Sequence, residues 1–222
     1  MENKFIVSSS PHIRSNEDTS YIMKQVILAL VPVAIAAVYY FRISALFVMF
    51  FCILGTVGSE FLYQKLTKQK STIGDCSAIV TGLLLAFNVP ASLPWWMCIL
   101  GGVFAIIVVK MLFGGLGNNF VNPALAGRAF LLASFPVAMT AWTKTGVNWV
   151  SGGSLDAVST ATPLSFLKSG AAGLAPLKES GVSLMDMALG NIGGCVGETC
   201  AILILLGGLY LIYKGIISYI MP

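Results

Sequence analysis

The chain has 222 residues, of which 57% are hydrophobic and only 10% charged, and its mean hydropathy is +0.87. A soluble domain typically carries about 25% charged residues, so these side chains cannot cover a water-facing surface and a soluble globular protein is excluded. The net charge of +4 says less than where the charges fall.

Residues 1–21 are polar and lack the apolar core and small-residue cleavage site of a signal peptide, so they are expected to form a cytoplasmic N-terminal tail. The membrane domain is expected over 22–135 in five segments, some of them short or broken. Ile22 to Phe41 and Ile43 to Tyr63 are of spanning length, separated only by Arg42. A spanning helix needs about 20 apolar residues. The basic stretch Gln64–Lys70 follows, then a third run, Cys76 to Asn88, of about 13 residues. The Asn88–Pro94 turn closes that run. The fourth runs from Trp95 to Phe113 and opens on a Trp95–Trp96 pair of the kind found at membrane interfaces. A break rich in glycine and asparagine, Gly114–Asn119, leads to the fifth, Phe120 to Phe135. Residues 136–183 read as a long polar loop, and 184–222 as a sixth apolar segment interrupted by Gly190-Asn191 and Gly193-Gly194, with the start of a further half beyond it.

Lysine and arginine set orientation, because cytoplasmic loops carry the excess. With the N-terminus inside, the inner segments hold Lys4, Arg14, Lys24, Lys65, Lys68, Lys70, Lys110 and Lys214. The outer ones hold Arg42, Lys144, Lys168 and Lys178. This places loop 136–183 outside the cytoplasm.

The Gly114–Pro123 stretch permits two readings. It is irregular backbone lining a cavity at membrane depth, as in the paired broken helices of transporters, or it is a cytoplasmic loop followed by a helix started by Pro123, since proline suits the first helical position. Arg128 falls within the fifth run. An intramembrane arginine is costly and usually functional, and its expected partners are Glu198, Asp186, Glu60 or a bound anion; a plain interhelical ion pair is the simpler alternative. Glu198, after Gly197, is expected to be the more deeply placed acid and an ion-path candidate. Glu60 also interrupts an apolar run and is likewise a candidate for proton or cation handling; it is expected near the inner end of its span, where reaching the interface is the simpler reading. Cys195 and Cys200 are spaced as part of an iron–sulfur pattern but lack the remaining thiolates, so small buried helix residues are expected; neither a metal site nor catalytic residues are assigned.

In the outer loop, Thr162 is a good N-cap and Pro163 fits the first helical position, so the free N–H groups of that helix start suit a phosphate. Taken alone, an ordinary capped surface helix explains the same residues.

Several stretches together carry a resemblance. Ser10-Pro11-His12-Ile13-Arg14 precedes the first span. Gly114-Gly115-Leu116-Gly117-Asn118-Asn119-Phe120-Val121-Asn122-Pro123-Ala124 leads into Gly127-Arg128-Ala129-Phe130. Asp156-x-x-Ser159-x-Ala161-Thr162-Pro163 lies in the loop and Gly193-Gly194-x-x-Gly197-Glu198-Thr199 follows it. Over essentially the whole chain this resembles the D subunit of the Rnf ion-translocating ferredoxin:NAD+ oxidoreductase complex, and is similar to the B subunit of the Na+-translocating NADH:quinone oxidoreductase. The short N-terminal tail favours the former.

The resemblance implies an all-α polytopic membrane protein with about six transmembrane segments here, resembling part of a ten-helix inverted-repeat, urea-channel-like fold whose last four helices would be missing from these 222 residues. It implies FMN joined through phosphate to Thr162, with Asp156, Ser159, Thr160, Ala161 and Pro163 as the surrounding motif; the family more often has Gly at the position of Thr160. Asn122 and Arg128 are expected to contribute to cofactor binding, and a second, non-covalent flavin is a further implication. The chain would carry electrons within an oxidoreductase complex that moves Na+ or H+, with no independent catalysis. Its expected partners are the other Rnf-type subunits, including an extracytoplasmic FMN-bearing one, a flavin transferase for maturation, and lipid; no nucleic acid is expected. The expected location is the cytoplasmic (inner) membrane of a prokaryote. A solute channel without flavin is the alternative of a different class.

Overall fold

The computed structural model describes residues 18–69, 71–142, 184–190, 192–198 and 200–220. These residues are helical, with one isolated antiparallel bridge between Pro90 and Cys195. The first two expected spans form the longest helices. Asp18 caps α1 (Thr19–Phe41) by accepting the Thr19 N–H at 2.8 Å. Arg42, at φ 53°, turns the chain directly into α2 (Ile43–Leu66). These two helices are long and apolar enough to cross a membrane; at 1.5 Å per residue each reaches about 35 Å. On α1 the inward residues Ala29, Val33, Ala37 and Phe41 recur every fourth position, while Leu28, Ile35 and Tyr39 face outward, as suits a helix with one packed side and one in lipid.

The remaining apolar runs give shorter helices. The third, α3 (Ser77–Phe87), is 11 residues long, started by Asp75, whose carboxylate accepts the Ser77 N–H at 2.8 Å, and ended by Asn88, whose side-chain amide donates to the Leu84 carbonyl. The fourth, α4 (Trp95–Val103), continues without a break as a π-helix over Phe104–Met111. The fifth is α5 (Pro123–Ser134), followed by the single turn α6 (Pro136–Thr140). The Gly114–Asn122 stretch is non-helical and α5 starts at Pro123, the proline-started helix that the second reading of that stretch expects. The last apolar region is two helices, α7 (Leu184–Leu189) and α8 (Ala201–Tyr213), on either side of an irregular segment holding a 3-10 turn at Val196–Glu198. Cys195 and Cys200 therefore lie in that segment and at the α8 start, buried, rather than inside a helix.

Small residues hold the bundle together, as expected where lipid gives no hydrophobic drive between helices. α2 packs along α3 and α4. At Gly55 an added Cβ would lie 2.8 Å from the Ile99 Cα, and at Gly102 one would lie 3.0 Å from the Gly55 backbone carbon. α5 runs antiparallel to α4: Trp96 meets Phe135 edge-on at 5.4 Å and Phe104 stacks on Phe130 at 4.2 Å. α8 lies on α1, where Tyr210 donates its hydroxyl to Gln25. Ser20 Oγ donates to the Gly74 carbonyl, so the α1 start and the 72–75 turn share one end of the bundle. Ser92 Oγ donates to the Ala141 carbonyl, so the 88–94 turn and the entry to the long loop share another surface point.

Candidate functional site

The end of α3 meets the irregular segment before α8. Val196 donates its N–H to the Val89 carbonyl at 3.0 Å beside the Pro90–Cys195 bridge. An interrupted helix leaves backbone groups that must find partners inside the protein, and here two interruptions supply each other. Gly197 makes the approach possible: a Cβ there would lie 2.8 Å from the Phe87 carbonyl oxygen.

Arg128 projects from the middle of α5 into this junction. Nη1 donates to Asn88 Oδ1 at 3.2 Å and Nη2 to Cys195 Sγ at 3.9 Å. Of its expected partners, Glu60 is elsewhere and Glu198 forms no ion pair with it; the side chain of Asp186 lies outside the described residues. Its two partners among the described residues are neutral, and a guanidinium carries more N–H donors than these contacts use. Arg128 is half-buried. Glu198 is exposed, not deeply placed, and its Oε2 accepts the Cys195 N–H at 3.1 Å, closing the 3-10 turn. The cause is local: after Gly197 the chain is not yet helical, so an acid that reads as intramembrane in the sequence caps its own turn.

Asn122 is exposed at the start of α5, and its Oδ1 accepts the Ala124 N–H at 3.0 Å as the N-cap. That bond satisfies one orphan helix donor. Asp156, Ser159, Thr160, Ala161, Thr162 and Pro163 lie outside the described residues.

A second cluster, unforeseen in the sequence, joins residues 50 positions apart in the chain. Glu60 is fully buried and so is Lys110, and Lys110 Nζ lies 2.7 Å from Glu60 Oε2. The same ammonium donates to Ser77 Oγ at 2.7 Å, and Ser77 Oγ donates to Asp75 Oδ1 at 2.6 Å. The other oxygen of Glu60 accepts from Thr72 Oγ1 at 2.8 Å and from Gln64 Nε2 at 3.2 Å. Every polar group at the centre is thus partnered, as burial demands. Two expectations are corrected here. Glu60 does not reach the interface, and Lys110, counted among the inner-side charges, is a core side chain. Both had plausible surface positions near the end of an apolar run. The detectable signal was a lysine and an acid each set within an otherwise apolar run.

A family model described as the NQR2, RnfD, RnfE family matches residues 6–222. The chain is 48% identical over its whole length to the D subunit of the Na+-translocating ferredoxin:NAD+ oxidoreductase complex of Acetobacterium woodii, spanning 66% of that protein. It is 44% identical, again over its whole length and 66% of the relative, to the D subunit of the proton-translocating ferredoxin:NAD+ oxidoreductase complex of Clostridium ljungdahlii. The D subunit of an ion-translocating oxidoreductase complex from Cronobacter sakazakii is 36% identical over 98% of the chain and 69% of its own length. The chain thus spans just under two-thirds of the first two relatives. With its outward apolar helix faces, its interrupted segments and this full-length match, the chain belongs to the NQR2, RnfD, RnfE family of membrane subunits.

Proposed function

We propose that this chain is the membrane electron-carrying subunit of an ion-translocating ferredoxin:NAD+ oxidoreductase complex, with FMN linked through its phosphate to Thr162. The observation that carries the subunit assignment is the 48% identity over the whole chain to the D subunit of such a complex. The flavin rests on Asp156-x-x-Ser159-x-Ala161-Thr162-Pro163. A flavin supplies one- and two-electron transfer, while the protein supplies position and electrostatics.

The chain's own contributions are readable. The Thr162 hydroxyl is the attachment oxygen, and a helix started by Pro163 would turn free N–H groups toward the phosphate. Asp156, Ser159, Thr160 and Ala161 form the sequence a flavin transferase would read. Arg128 holds a fixed positive charge at the helix interruption, a favourable neighbour for an anionic reduced flavin or its phosphate. Asn122 orders the α5 start that aims Arg128. The Na+ or H+ movement for which the relatives are named belongs, on this reading, to the assembled complex. A second, non-covalent flavin, an extracytoplasmic FMN-bearing partner and a prokaryotic inner-membrane location with loop 136–183 outside complete the proposal, as does the six-span, urea-channel-like half-fold.

The test is mass spectrometry of the Thr162 peptide from protein coexpressed with a flavin transferase. An added FMN mass on Thr162, together with a flavin-fluorescent band in denaturing gels, is expected. That band disappears in Thr162→Ala and persists in Thr162→Ser. An unmodified wild-type peptide overturns the carrier reading in favour of a flavin-free channel. Quinone reduction without ferredoxin-linked NAD+ reduction by the purified complex would reassign it to the quinone-reducing relative.

A further inference from the structure

We propose that Glu60 is a monovalent-cation site whose built-in occupant is the Lys110 ammonium, which the translocated ion displaces. This rests on the reading of the chain as part of an ion-translocating complex. It concerns residues that the flavin reading does not use.

The ammonium already sits as a small cation would. Its nearest oxygens are Glu60 Oε2 and Ser77 Oγ, each at 2.7 Å. All the surrounding oxygen ligands are hard: the Glu60 carboxylate, the Ser77 and Thr72 hydroxyls and, behind Ser77, the Asp75 carboxylate. Apart from the Gln64 amide, which donates to the other Glu60 oxygen, the surroundings are oxygen, which suits Na+ or H+ and not a soft metal. The burial is graded. Thr72 is exposed and Asp75 half-buried, while Ser77, Glu60 and Lys110 are buried. A file of oxygens therefore runs from the end of the bundle where the basic residues cluster to a charge pair in its interior.

The backbone beneath Lys110 supplies a second, independent observation. Residues Phe104–Met111 are π-helical, a rare form that recurs at functional sites. A π-turn holds one residue more than an α-turn and turns Lys110 toward α2. The chain accepts this less favourable geometry at the one stretch where it delivers a charge to Glu60. A pair needed only for packing is more simply replaced by apolar residues of similar volume, which is often neutral or stabilising.

The exchange conserves charge. When Na+ enters, it takes the carboxylate and hydroxyl oxygens of Glu60 and Thr72 and the ammonium moves past Ser77 to the Asp75 carboxylate behind it; when H+ enters, Glu60 becomes a neutral acid that donates to Thr72, and the ammonium again moves to Asp75. No covalent bond other than O–H changes. A tethered cation returns to Glu60 as the ion departs, so the carboxylate is never left bare in a low-dielectric interior.

The test uses the assembled complex in liposomes, driven by reduced ferredoxin and NAD+, with wild type, Glu60→Gln, Lys110→Met and the neutral double variant. The readouts are 22Na+ uptake and, without Na+, lumen acidification, each per NADH formed. Glu60→Gln should lower ions moved per NADH by about tenfold, a typical size for coupled sites. Lys110→Met, lacking the competitor, should lower the half-saturating cation concentration by a similar factor while slowing turnover. Loss confined to the 22Na+ arm identifies Na+, and loss of acidification identifies H+. A double variant that assembles and moves ions per NADH like wild type makes the pair structural and overturns the proposal. Should the variants not assemble, infrared difference spectra of the wild-type complex decide: no carboxylate band shift on adding Na+ or acid overturns it equally. Wild-type complex that forms no NADH from reduced ferredoxin overturns the functional reading instead.

Discussion

Gly55 and Gly58 sit three residues apart on α2 and differ only in what faces them. A Cβ at Gly55 would be 2.8 Å from the Ile99 Cα and 2.9 Å from its carbonyl oxygen, both backbone atoms that cannot rotate away; at Gly58 nothing lies within 4 Å. Alanine at either position gains the same helix propensity, about 0.5–1 kcal/mol. Gly58→Ala is therefore expected to raise the melting temperature of the detergent-extracted protein slightly. Gly55→Ala should lower it, because forcing α2 from α4 costs about 1–3 kcal/mol, as overpacking does. Equal shifts in the two variants would contradict the close helix approach. The same scale shows what a sequence leaves hidden. Glu60 and Glu198 look alike along the chain, each an acid after small residues, yet one is buried on Lys110 and the other caps its own turn. The difference is set by a partner 50 residues away in the first case and by a backbone turn in the second. Neither is visible in local spacing.

Among the elements, the short third run was legible because its ends are chemical: Asp75 caps its start and Asn88 and Pro90 end it. The α5 start was legible as one of two readings for the same reason, an Asn-Pro pair with the geometry of N-cap and first residue. Removing that cap in Asn122→Ala is expected to cost about 1 kcal/mol, with recovery in Asn122→Asp or Asn122→Ser, which retain an acceptor. Thermal unfolding of the three variants checks this. Flavin attachment separates capping from cofactor binding: if Asn122 acts only through α5, attachment at Thr162 persists in all three variants. The π-helix was not legible. Phe104–Met111 has the composition of an ordinary apolar helix, and the lysine it carries meets partners 50 and 33 residues away, Glu60 and Ser77. The division of the last apolar region into α7 and α8 was signalled by its glycines, but the pairing of that break with Val89 and Pro90 was not.

At the scale of the whole molecule, the chain's direction can be followed from contacts alone and compared with its charges. The α1 start and the 72–75 turn are held together by Ser20 and Gly74. α8 lies against α1 with Tyr210 on Gln25, so Tyr213 and Lys214 approach the same end as the α1 start. α4 and α5 are antiparallel, with Trp96 at Phe135, and Ser92 bonds Ala141, so the 88–94 turn and the approach to residue 143 share the opposite end. The lysines Lys24, Lys65, Lys68 and Lys214 all fall toward the first end. Taking Lys110, a core side chain, out of the inner-side count reduces the inner excess but does not reverse it, so the expected orientation is unchanged. On that orientation loop 136–183, with Thr162, is expected outside and the Gly114–Asn122 stretch inside. Single cysteines at Ser71, Gly117 and Lys144 in a cysteine-free background test this in intact cells with a membrane-impermeant maleimide. Labelling is expected at Lys144→Cys only, with Ser71→Cys and Gly117→Cys reacting after permeabilisation. The reverse pattern would put Thr162 in the cytoplasm and, with it, the oxygen file from Thr72 to Glu60 outside, inverting the direction in which an ion first meets the buried pair.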